Sequence, residues 1–96
     1  MDEKSMLQLL RQDLQRTGFL PGDDDYLTHL LRAAKANLTR EGVREEASED
    51  WSACVISTAA WLYRKRITGE AEPKYLRRMR LDLIVDRQAR GKQHAP

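Results

Sequence analysis

Ninety-six residues suit one domain spanning 1–96, and a chain of this size buries about two-thirds of its unfolded surface on folding. With 41% hydrophobic and 33% charged residues but only three Pro and five Gly, the composition points to an all-α fold and away from fibrous or β-rich classes. The net charge of +2 does not by itself argue for a nucleic-acid partner, but residues 1–60 carry 7 Lys/Arg against 11 Asp/Glu and residues 61–96 carry 10 against 4, a polarity that lets copies attract head to tail or turns the basic end toward a polyanion.

Residues 1–4 read as a disordered tail. Ser5 can cap a first helix over about Met6–Arg16, with Leu7, Leu10 and Leu14 as its apolar stripe and Met6 at the edge. Gly18 is placed to stop it and Pro21-Gly22 to turn the chain. Asp23, Asp24 and Asp25 then supply capping carboxylates for a second helix, about 24–40. Leu27, Leu30, Leu31, Ala34 and Leu38 fill one face of that helix, opposite Thr28, Arg32, Lys35 and Thr39, and Gly42 ends it. Val43 to Asp50 is a polar, acidic connection, and Ser48 suits the next N-cap.

The stretch WSACVISTAAWLYRKR, residues 51–66, is the expected central helix of a small four-helix domain. Trp51, Cys54, Val55, Thr58, Ala59 and Leu62 share one face, Ile56, Ala60 and Tyr63 a second, and Trp61 lies beside the first. At this length and with this many small polar residues it is too short and too polar to cross a bilayer, so no membrane partner is expected. A loop over Ile67–Glu72 follows, and Pro73 suits the first turn of a fourth helix whose stripe is Tyr75, Leu76, Met79 and Leu83. Beyond Arg80 the pattern divides. Residues 81–85 continue the helix to about Arg87, the expected outcome, or form a short strand with Leu81, Leu83 and Val85 on one side. Residues 90–96 read as a second disordered tail.

Chemistry is thin along the chain. His29 follows Asp25 by four residues, close enough to pair across a helix turn, with no further ligand at metal spacing, so a solvated role is expected rather than zinc. Cys54, the only cysteine, excludes an internal disulfide and fits a reducing compartment. On an apolar helix face it reads as an inert thiol. Asp23–Asp25 lack the Gly and closing Glu of a calcium loop. No phosphate-binding Gly loop or nucleophile motif is present, no cofactor or metal is expected, and an enzyme is not expected. No secretory cleavage pattern opens the sequence, so synthesis in the cytoplasm is expected.

The basic cluster carries more information. Arg64, Lys65 and Arg66 close the central helix, where cations favour the negative end of the dipole. Arg77, Arg78, Arg80 and Arg87 follow on the fourth helix, where Arg78–Asp82 and Asp86–Arg90 have the spacing of helical ion pairs. A solvated or intersubunit salt-bridged face is the simplest use of these residues. No helix-turn-helix pattern supports direct reading of a duplex.

The order of these features resembles the small helical head–tail connector proteins (adaptor, or head-completion, proteins) of tailed bacteriophages. DDDYLTHLLRAAKANLTREGV, Asp23–Val43, looks like the family's acidic-capped second helix; AAWLYRKR, Ala59–Arg66, and the arginine-rich YLRRMRLDLIVDRQ, Tyr75–Gln88, look like its later helices. The likeness covers roughly residues 5–90. It implies a virion protein at the head–tail junction, made in the host bacterial cytoplasm. There it would form a homo-oligomeric ring of about a dozen subunits between the portal and the next head-completion or tail protein. In that reading Arg64, Lys65, Arg66, Arg77, Arg78, Arg80 and Arg87 contact a neighbour or line the DNA channel, with non-specific contact to packaged DNA. Asp23, Asp24, Asp25, Glu45, Glu46, Glu49 and Asp50 are the acidic contact partners. The alternative is a small helical nucleic-acid-binding or regulatory protein that sets the C-terminal basic segment on phosphates.

Overall fold

The computed structural model describes residues 1–93. The fold is all-α: α1 (Glu3–Arg16), α2 (Asp24–Arg40), α3 (Glu49–Thr68) and α4 (Lys74–Gln93), with no strand among the described residues. The core is built on the expected stripes. Leu10 and Leu14 of α1, Leu27, Leu31, Ala34 and Leu38 of α2, and Cys54, Val55 and Ala59 of α3 are fully buried together. α3 packs against all three other helices, whereas α4 packs chiefly on α3.

Two helices end in the same way. Gly18 and Gly42 both take positive φ, and each is followed by an apolar residue whose N–H reaches back to a leucine carbonyl: Phe19 to Leu14 and Val43 to Leu38, both at 2.9 Å. These are Schellman closures, in which the left-handed glycine turns the chain and the next side chain covers the helix end. Val43 is thereby buried, and Phe19 packs on Tyr63 with ring centroids 6.1 Å apart. The acidic connection after α2 therefore begins with a core residue.

Several boundaries differ from the sequence expectation. The α1 cap is Asp2, whose side chain accepts from the Ser5 N–H at 2.8 Å, so Ser5 lies inside the helix and α1 begins within the segment expected as a tail. Asp23 and Ser48 cap α2 and α3 as expected, accepting from the Tyr26 and Trp51 N–H groups. The expected helix 51–66 lies within a longer one whose ends are charged, with Glu49 and Asp50 in the first turn and Lys65 and Arg66 in the last, so that only its middle is apolar. α3 as a whole is thus not an apolar helix. Within it Ser52 is buried and Leu62 only half-buried.

The strand alternative for 81–85 is overturned, since α4 is helical through it and continues past Arg87 to Gln93. That end overlaps the expected tail 90–96, of which 94–96 lie outside the described residues. The core stripe of α4 is Leu76 and Leu83 with Met79 half-buried, while Tyr75 is 50% exposed. Arg80 takes an inward position instead of Tyr75 because it lies on the same side of the helix as Leu76 and Leu83.

Candidate functional site

The basic residues singled out from the sequence separate into two groups. The first is used within the chain. Arg64, its side chain only 12% exposed, bonds Glu70 through Nε at 3.2 Å and approaches Asp13 at 3.9 Å. The Lys65 ammonium lies 5.0 Å over the Trp61 ring, and the Trp61 indole N–H donates to the Glu70 carbonyl at 3.3 Å. Arg66 donates to the Tyr26 hydroxyl at 3.2 Å and stacks on the same ring. Arg80 is 8% exposed and pairs with Glu72 from the α3–α4 connection. Together these contacts clamp the end of α3 to α1, to α2 and to the loop that launches α4.

The second group is Arg77, Arg78 and Arg87, all exposed and without an ion-pair partner among the described residues. The Arg78–Asp82 pair allowed by spacing does not form, whereas Arg90 bridges Asp86 at 3.5 Å and Glu46 at 2.9 Å. The Glu46 carboxylate pushes the Arg90 guanidinium still further from deprotonation.

The acidic candidates divide in the same way. Asp23 caps α2, Asp24 pairs with Arg11, and Glu46 holds Arg90. Asp25, Glu45, Glu49 and Asp50 are exposed and make no ion pair among the described residues. His29 is exposed on α2 and forms no pair with Asp25.

Because α4 packs chiefly on α3, its opposite side is open. Lys74, Arg77, Arg78, Leu81, Val85 and Gln88 fall on one outward stripe, and Leu81 and Val85 are 49% and 60% exposed. Leu81, Ile84 and Val85 depart from the core period in the sequence itself, a signal that a second face exists. Beside this stripe a groove of about 400 Å³ runs between α3 and α4, lined by Asp50, Ala53, Met79, Asp82, Leu83 and Asp86. Sequence reasoning did not find the groove, because it joins residues from two helices whose packing is tertiary.

No group of three or more His, Cys, Asp or Glu side chains among the described residues is placed to hold a metal ion. Burial pushes the Cys54 thiol up; the nearby Thr58 hydroxyl and Arg80 only partly oppose this. The resulting thiol is a weak nucleophile. No described helix is long and apolar enough to cross a membrane. No family model, curated protein or solved structure matches the chain.

Proposed function

We propose that this chain is an assembly subunit that self-associates through α4, and that its assembly is the ring of a phage head–tail connector, seated between portal and tail-completion proteins in the virion. The observation that carries the self-association is the outward face of α4, where unpaired Arg77 and Arg78 flank exposed Leu81 and Val85. A charged rim around apolar side chains suits protein contact. The order of capped helices and the arginine-rich closing segment support the connector identity. Asp82 and Asp86 interrupt the cations of α4, which disfavours a phosphate-tracking surface.

Electron microscopy of the chain mixed with a phage portal protein from the genome that encodes it tests this reading. The expected result is an added ring of density on one end of the portal, with DNA binding weak or absent at physiological salt. Tight binding to DNA that falls steeply with salt, with no portal association, would establish the nucleic-acid-binding alternative.

A further inference from the structure

The outer face of α4 and the α3–α4 groove are complementary in charge, and both are open to solvent among the described residues. The face offers two guanidinium groups without partners among the described residues, Arg77 and Arg78, beside Leu81 and Val85. The groove offers Asp50 and Asp82, without ion-pair partners among the described residues, above an apolar floor of Met79 and Leu83 with Ala53 at its rim. Arg78 and Asp82 sit one turn apart on the same helix and yet do not pair, so each is available to a second molecule.

We propose that the outer face of α4 in one copy docks into the α3–α4 groove of a second copy, with Arg77 and Arg78 against Asp50 and Asp82. The inference rests on the self-association reading and specifies its interface. In this arrangement the face of each copy engages one neighbour and its groove engages another, which makes the contact heterologous. A contact of that kind propagates from copy to copy until the rotation closes a ring. Opposite charges set the register, while Leu81 and Val85 supply the desolvated contact that exposed ion pairs alone lack.

Two variants of the full chain separate the two surfaces. Ala53→Trp sets a bulky side chain at the exposed rim of the groove and leaves the α4 face untouched. Arg78→Glu with Leu81→Asp spoils the face and leaves Asp50 and the groove floor in place. Circular dichroism first confirms that both retain their helix content. By sedimentation velocity, the wild-type chain is expected to grow beyond a dimer as concentration rises, and each variant alone to need at least roughly tenfold higher concentration, the loss produced by about 1.4 kcal/mol. An equimolar mixture is expected to stop at a one-to-one dimer, since it contains one intact face and one intact groove. If Ala53→Trp associates like the wild type while the α4 variant does not, α4 meets another surface; the docking inference is then overturned and the self-association reading stands. If the wild-type chain remains monomeric at every concentration, the self-association reading fails and takes this interface with it.

Discussion

Two residues show where local stability is decided. The Thr58 hydroxyl is completely buried in the core with no nitrogen or oxygen partner among the described residues and only the Cys54 thiol, a weak partner, beside it, and a buried polar group so poorly paired is costly. Thr58→Val exchanges that hydroxyl for a methyl of similar size and is expected to stabilise the fold by about 1 kcal/mol in urea unfolding. Arg80 is the converse case, an inward cation satisfied by Glu72. Removing Glu72 leaves that charge without its partner, so Glu72→Ala is expected to cost about 1–3 kcal/mol. Arg80→Met removes the charge along with the need for a partner and is expected to cost less. The inward position of Arg80 was not legible in the sequence. Residue type alone places an arginine at the surface, and its partner comes from a loop outside the helix. Thr58, by contrast, was correctly placed on an inner face by its spacing from Cys54, Val55 and Ala59.

At the scale of elements, α2 was the most legible because every local signal agrees. Asp23 caps it, five apolar side chains form one stripe, and Gly42 with Val43 closes it. Leu38→Ala, at a fully buried position on that stripe, is expected to cost about 2–5 kcal/mol. Leu62→Ala, on a half-buried position that shares a face with Cys54 and Val55, is expected to cost clearly less. Chemical denaturation of the two variants checks the order, and an equal cost would place Leu62 in the core.

The start of α1 was less legible because Asp2 and Ser5 are both good caps three residues apart, and the earlier one extends the helix by most of a turn. The hydrogen bond from the Ser5 N–H holds the Asp2 carboxyl below its usual pKa. The cap is therefore fully formed at neutral pH and is lost as pH falls through that lowered value. The Ser5 amide is expected to lose exchange protection over that acidic range, while amides in the middle of α1 keep theirs. The far end of α4 was misread for another reason. Its apolar residues face two directions, inward at Leu76 and Leu83 and outward at Leu81 and Val85, so a single-face pattern appears to fail where the helix in fact continues.

For the whole molecule, the uneven charge of the sequence is partly consumed by the fold. Asp24 and Glu46 from the acidic portion, and Arg64 and Arg80 from the basic one, are each tied up within the chain. In the proposed interface the attraction between copies rests on fewer charges, Arg77 and Arg78 against Asp50 and against Asp82 of α4 itself, with Leu81 and Val85 adding apolar contact. Exposed ion pairs are worth only about 0–1 kcal/mol each, so a single contact of this kind is weak. Closing a ring joins every copy to two neighbours, which makes the assembly far more persistent than any one contact. High salt is expected to weaken the association without abolishing it, because the apolar part of the contact is not screened.

The most direct measurement is the mass of the purified chain by sedimentation velocity across a wide concentration range at physiological salt. Monomers are expected to pass cooperatively into one closed species of fixed stoichiometry larger than two. A monomer at every concentration, or a two-fold dimer that grows no further, would contradict it.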